Sequence, residues 1–428
     1  MNASHSPAKT AHYPPLLRQW RWRVFAATWL SYAGLYFCRK PFFITKSNLG
    51  TELHLDATAL ASIGTAYLVA YTVGQFVAGA LGTRWGPRAL LLTGMAVSIG
   101  ANVAFGMINS FGLSIAFMVI NGLAQATGWA GNVGTMANWF ARHERGSVMG
   151  IWATNFQVGG VAANALAAWA LGHFGHYRAS YFCGSLVLLA VWAFFLFNQR
   201  NRPEDVGLDP IAEDNEQAEE SASAGVGWSR TTLVNVLLIG VFYFFLKFIR
   251  YALWSWAPFL LQRNFGLQGS DAGYLSTIFD LAGVAGVIVL GWLSDKVFAS
   301  ERARVSFYSL LAMVAACVLL YTLGSISVPL FALSLGLVGF TLYGPDALMT
   351  GAGAIDAGNR RGAVLAAGII NGMGSIGTIL QEVVIGKLYD SNSGNLAPIL
   401  GLLLGAAAGS TIAMWVVLMR NRRSKAMA

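Results

Sequence analysis

Arg39 and Lys40 stand inside the apolar run Tyr32-Ala33-Gly34-Leu35-Tyr36-Phe37-Cys38-Arg39-Lys40-Pro41-Phe42, and Lys247 and Arg250 stand inside Phe244-Phe245-Leu246-Lys247-Phe248-Ile249-Arg250-Tyr251. A charged side chain at the centre of a bilayer costs about 2.5 to 3.5 kcal/mol on insertion scales, so four facing lipid would cost roughly 10 kcal/mol. Cations placed this way must face a polar space, and the chemistry they offer there is anion binding. Two guanidinium forks can grip a phosphate bidentately. On the first run Tyr32, Tyr36 and Arg39 share a helix face, and on the second Tyr243, Lys247, Arg250 and Trp254 do the same. Three acids, Asp280, Asp346 and Glu382, also fall within apolar stretches and are candidate ion-pair partners or coupling groups.

The elements that must position these residues are membrane helices. Of 428 residues 56% are apolar and only 11% charged, with 49 Gly and 14 Trp, a composition that excludes a soluble chain with a polar surface. Apolar stretches long enough for a hydrocarbon core of about 30 Å recur twelve times. Their expected limits are 22–44, 57–82, 88–107, 112–139, 147–174, 178–198, 232–261, 270–293, 305–324, 328–354, 362–387 and 395–419. Backbone groups must be satisfied inside lipid, so runs of this length are helices. The expected fold class is an all-α membrane protein of twelve transmembrane helices. Counted from Trp22 and Leu233, Arg39 and Arg250 lie at matching depths, about 25 Å along their helices. Cys38, Cys183 and Cys317 sit in apolar runs and read as small core residues, with no disulfide or metal site implied. The polar first 21 residues lack a signal-peptide pattern, so the first span is expected to direct insertion.

Most of the 28 Lys and Arg residues fall in the even-numbered connections and the two tails, whereas the odd-numbered connections hold Lys46, Arg178, Arg263 and Lys387. The positive-inside tendency then places both termini in the cytoplasm, in a bacterial inner membrane. The one long polar connection, with acids from Glu204 to Glu220, reads as a flexible linker. The expected organisation is a cytoplasmic tail 1–21, a six-helix bundle 22–198, a linker 199–231, a second six-helix bundle 232–419 and a tail 420–428. The halves repeat: Gly79-Ala80-Leu81-Gly82-Thr83-Arg84 is answered by Gly291-Trp292-Leu293-Ser294-Asp295-Lys296, and Arg39 by Arg250, at nearly one offset. Such repeats suit two bundles that rock about a central site. No Gly-rich loop followed by Lys-Ser or Lys-Thr is present to bind nucleotide, no cofactor is implied, and no connection is long enough for a catalytic domain.

Those two turns resemble the cytoplasmic signature of the major facilitator superfamily. Further stretches narrow the resemblance: Arg39-Lys40-x-Phe42, Asn121-Gly122-x-x-Gln125-x-x-Gly128-Trp129, Glu144-Arg145-Gly146, Trp152 with Val158-Gly159-Gly160, Pro203-Glu204-Asp205-Val206-Gly207-Leu208, Arg250-Tyr251 and Tyr343-Gly344-Pro345. Together they are similar to the organophosphate:phosphate antiporters, over about residues 20 to 388. The resemblance implies two bundles related by pseudo-two-fold symmetry and exchange of an organophosphate for inorganic phosphate by alternating access. It also implies that Arg39 and Arg250 jointly bind the phosphate group; the residues themselves add Lys40, Lys247, Tyr32, Tyr36 and Tyr243 as further candidate substrate contacts. Gly79, Arg84, Gly291, Asp295 and Lys296 would form gating turns, and the chain would work as a monomer in the lipid bilayer.

Several positions depart from that pattern. Thr83 stands where the superfamily turn carries an acid, Phe156-Gln157 stand where bacterial relatives have a histidine, and Lys247 replaces a tyrosine of the glycerol-3-phosphate carriers. Lys247 either contacts substrate or pairs with Asp280, and Lys40 either faces the cavity or reaches the headgroups. Glu382 reads as a counter-ion, a proton site or an interfacial residue. The run Ile370-Asn371-Gly372-Met373-Gly374-Ser375-Ile376-Gly377 resembles the eukaryotic sugar-phosphate exchangers. Two rival functions stay open: a membrane sensor of external sugar phosphate, and a proton-coupled carrier of an organic anion.

Overall fold

The structure is a computed structural model that describes residues 14–140, 148–149, 151–152, 154–211, 230–298, 301–350 and 352–426. Helices account for nearly all of it. In chain order they are α1 (Pro15–Leu35), α2 (Lys40–Glu52), α3 (Ala57–Met107), α4 (Phe111–Gln125), α5 (Thr127–Trp139), α6 (Thr154–Phe174), α7 (Arg178–Asn198), α8 (Arg230–Phe265), α9 (Gly269–Lys296), α10 (Arg302–Leu323), α11 (Val328–Thr350), α12 (Ala352–Ser391) and α13 (Ala397–Ala426). Ten segments among the described residues are long and apolar enough to cross a membrane. The other two expected spans are the first, which is broken and carries three cations, and α6, which carries Asn155, Gln157 and Asn164.

The first span runs on to Glu52, well past its expected end, and breaks into α1, a 3₁₀ turn at Tyr36–Cys38, and α2. Pro41 is the reason: it has no N–H to donate and its ring crowds the carbonyl four residues back. Two carbonyls near the break find side-chain donors on α4, with Gln125 Nε2 donating to Leu35 O at 3.1 Å and Asn121 Nδ2 to Cys38 O at 2.9 Å. The second and third spans are two helices of α3 that meet at a kink, with non-helical backbone at Gly86 (φ 76°) just before Pro87. Only glycine takes that φ without strain. Expected spans four and six match Phe111–Trp139 and Arg178–Asn198.

Close packing repeats across the halves as the sequence repeat implied. A Cβ on Gly122 of α4 would lie 2.6 Å from the Tyr67 carbonyl oxygen on α3, and on the other side Gly286 of α9 abuts the Phe340 carbonyl while Gly339 of α11 abuts that of Phe279. Gly159 of α6 lies against the backbone of Ala33, and Gly377 of α12 against that of Phe244, the residue that answers Ala33 in the repeat. Glycine at these seams lets helix backbones approach where no hydrophobic force between helices exists in lipid. Gly286→Ala should therefore force α9 from α11 and destabilise the protein by about 1 to 3 kcal/mol, the range for overpacking. A thermal unfolding scan in detergent would read this as a lower midpoint, and an unchanged midpoint would show that the seam can part freely.

The end that carries the start of α1 is called the terminal face here, and the opposite end the far face. Trp20 of α1 stacks on Trp139 of α5, whose Nε1 donates to Arg200 O, and Arg88 is bonded to Gln199 O and Leu196 O, so α1, α3, α5 and α7 are tied together at the terminal face.

Candidate functional site

Arg39 and Arg250 meet at one cavity. It is lined by Tyr36, Arg39, Phe156, Gln157, Gly160, Arg250, Tyr251, Trp254, Asp280 and Tyr343. The two arginines thus come from the break in the first span and the middle of α8, as the repeat predicts.

Their settings differ. Arg39 is buried, and its Nε donates to Gln125 Oε1 at 2.8 Å. Gln125 is itself fixed, accepting from Tyr67 OH at 3.1 Å and donating to Leu35 O and to Ser98 Oγ at 3.2 Å. The same glutamine therefore bonds a carbonyl at the helix break and aims the guanidinium. Its plane lies over Tyr36 and Tyr71, at 4.6 and 4.9 Å from the ring centres. No acid pairs with Arg39 among the described residues, and its Nη2 is buried without a hydrogen-bond partner. Arg250 does have an acid: its Nη1 lies 2.6 Å from Asp346 Oδ2 on α11, and the guanidinium stands 4.6 Å over Tyr343.

Lys40 is almost wholly buried and does not reach the headgroups. Its Nζ lies 3.5 Å from Asp280 Oδ2 on α9 and 3.9 Å above the ring of Trp254. Asp280 also accepts from Tyr343 OH at 2.5 Å and from Asn164 Nδ2 at 3.4 Å, so it joins the first half to the second. The partner of Asp280 is therefore Lys40 and not Lys247, since the start of α2 packs against α9 while Lys247 reaches Asn371 on α12. Lys247 donates to Asn371 Oδ1 at 2.7 Å and lies 4.9 Å over Tyr243. Across these groups, Lys40 and Arg250 have carboxylate partners, whereas Arg39 and Lys247 have only neutral ones. Among the described residues the four cations thus share two carboxylates, Asp280 and Asp346, which leaves the group net positive in low dielectric.

Of the expected tyrosines only Tyr36 lines the cavity. Tyr32 packs on Tyr36, Trp129 and Trp152, and Tyr243 is buried beneath Lys247. Lys46 is no loop charge but a buried residue of α2 paired with Glu382, and Glu382 is wholly buried and not interfacial. The longer first span explains both. Gly79 to Arg84 and Gly291 to Lys296 are helical, with the backbone reversing only after them, at Gly86 and beyond Lys296. Arg84 and Lys296 are exposed. The surroundings of Gly79, the side chain of Asp295, the Glu144-Arg145-Gly146 stretch and linker residues 212–229 lie outside the described residues. Residues the sequence did not assign to the site include Gln125, Tyr251 and Asn371, while Trp254, read only as sharing the face of Lys247 and Arg250, lines the cavity. Gln125 carried a signal, as a polar residue amid apolar ones four residues beyond Asn121, on the same helix face.

The arrangement predicts that Gln125→Leu, which removes the Arg39 acceptor and leaves its Nε unbonded, raises the apparent KM for an anionic substrate about tenfold. The size follows from losing one hydrogen bond to a charged group, about 1.5 to 3 kcal/mol. Initial-rate kinetics would check it, and an unchanged KM would free Arg39 from this restraint.

Six-helix repeats, a broken first helix and a central cationic cavity define a two-bundle carrier fold, and the family model described as Major Facilitator Superfamily matches residues 24–382. The chain belongs to that superfamily. Its similarity runs to the organophosphate:phosphate antiporter branch. It is 29% identical to the glycerol-3-phosphate transporter of Bacillus subtilis over 386 residues, 86% of each chain. It is 25% identical to the membrane sensor protein UhpC of Escherichia coli, over 87% of each. Among solved structures, a bacterial homolog of the human lysosomal transporter Spinster, inward-facing and unoccupied, superposes with a TM-score of 0.73. That match has 16% identity and covers 94% of this chain and 97% of the other. The twelve-helix architecture expected from the sequence is thus the fold of this chain.

Proposed function

We propose that the protein exchanges an organophosphate for inorganic phosphate by alternating access. The observation that carries the reading is the buried guanidinium of Arg39 at the cavity, with no acidic partner among the described residues and Nη2 unbonded. An anion completes it. Arg250 faces the same cavity and supplies the second fork, while Lys247 adds charge beyond it. With the site empty, uncompensated cations in low dielectric oppose closing the halves over it; a bound phosphate removes that opposition. Each reorientation then needs a passenger, so the downhill flux of one phosphate compound drives another uphill.

The halves, 22–198 and 232–419, move as units about this site, joined by the linker 199–231. Both termini lie in the cytoplasm of a bacterial inner membrane, by the distribution of Lys and Arg, and one copy suffices because the cavity is built within one chain. Similarity to glycerol-3-phosphate and hexose-phosphate carriers and to a sugar phosphate exchanger supports a small phosphate ester as the organic substrate. In proteoliposomes loaded with phosphate, uptake of labelled phosphate should be inhibited by glycerol 3-phosphate or a hexose phosphate and not by a dicarboxylate. Inhibition by the dicarboxylate, with uptake driven by a pH gradient, would replace this reading with proton-coupled anion transport. Similarity to a sensor gives a second reading: binding of a sugar phosphate with no exchange would establish it.

A further inference from the structure

Lys46 and Glu382 do nothing for the cavity, since neither lines it, yet both are completely buried between the halves. Lys46 lies on α2, six positions past Lys40 toward the far face; Glu382 lies on α12. Lys46 Nζ is 2.5 Å from Glu382 Oε1, donates to Ser255 Oγ on α8 at 2.7 Å, and stands 3.9 Å above the ring of Trp256. The second carboxylate oxygen accepts from Ser255 Oγ at 2.8 Å and from Trp256 Nε1 and Gln381 Nε2 at 3.1 Å each. α3 comes close as well: a Cβ on Gly64 would lie 2.6 Å from Glu382 Oε1. The pair is thus fully satisfied and sealed by helices of both halves, the condition under which a buried ion pair holds.

A series of hydrogen bonds and ion pairs joins the halves from the cavity outward to the far face. Lys40 with Asp280 is innermost and Lys46 with Glu382 next. Farther out, Arg263 bonds Ser47 O and Thr51 Oγ1, and Asp390 accepts from the backbone N–H groups of Ala57 and Thr58 at the start of α3. Opening the far face must pull α2 and α3 away from α8 and α12, so Lys46 and Glu382 must separate and hydrate. Substrate bound at Arg39 and Arg250 does not touch them.

We infer that Lys46 and Glu382 form a latch that holds the far face closed independently of substrate, setting the resting equilibrium of the carrier toward the conformation described here. They are positioning residues, not substrate ligands. The inference rests on the alternating-access reading, and its test needs no substrate. Spin labels at the exposed far-face positions Ser110 and Ser325, in the full chain with its three native cysteines replaced, report the separation of the halves in lipid. The variant Lys46→Met leaves the Glu382 carboxylate buried without its cation in the closed state, and should raise the open-to-closed ratio at the far face about tenfold or more. Gly64→Ala keeps both charges but displaces the carboxylate, so it should shift the distances the same way. This variant also guards against a Lys46 variant that fails to fold. Unchanged distance distributions in the folded variants would overturn the latch. Loss of phosphate exchange in the unsubstituted protein, with distances that still respond to the substitutions, would count against the transport reading and leave the latch standing.

Discussion

Arg39→Lys is expected to lower the rate of phosphate exchange by about 100-fold or more while leaving the protein folded. Charge is conserved, so electrostatics alone predicts little change. What is lost is the fork: Nε bonds Gln125, leaving the other guanidinium nitrogens for the anion, and an ammonium at the same place cannot keep the glutamine contact and grip an oxygen pair together. Truncating one member of a buried, hydrogen-bonded charge pair weakens binding by about 2 to 5 kcal/mol, which sets the size of the effect. Initial rates in proteoliposomes, with helical content measured on the same sample, would check it. Exchange near the native rate would mean that Arg39 contributes only charge.

Asp280→Asn should act in the opposite sense on affinity. The carboxylate neutralises Lys40 at 3.5 Å and bridges the halves through Tyr343 and Asn164. Its removal gives the cavity another uncompensated cation. A like-sized site with more positive charge holds phosphate more tightly and releases it more slowly, so the apparent KM and the maximal exchange rate should fall together, each by about tenfold. A KM that rises with an unchanged maximal rate would instead make Asp280 a direct ligand of the organic part of the substrate.

The sequence pointed to the shared cavity because four cations in apolar runs have few physical explanations, and the internal repeat paired Arg250 with Arg39, which do line one cavity. Ten of the twelve expected spans were legible from length and apolarity, whereas the first, broken and cationic, and α6, with its Asn and Gln residues, fall short of that criterion. What the sequence hid were features decided by contacts between distant helices. Lys46 follows four apolar or small residues after Pro41 and reads as the end of a span, because its partner Glu382 lies 336 positions away. Which acid serves which cation was hidden for the same reason: Asp280 reaches Lys40 across the halves, and Arg250 takes Asp346 within its own. The fate of the break at Tyr36–Cys38 was half legible, since Pro41 announces it and only the fold shows Gln125 and Asn121 bonding the carbonyls beside it.

The most direct test of obligatory exchange through an uncompensated cationic site is labelled phosphate uptake into proteoliposomes loaded with phosphate, compared with the same vesicles loaded with an equal concentration of chloride. Rapid uptake in the phosphate-loaded vesicles alone is the predicted result, because the empty cavity resists reorientation. Equal uptake into both would show that the cations do not prevent the empty carrier from turning over, and would contradict the account.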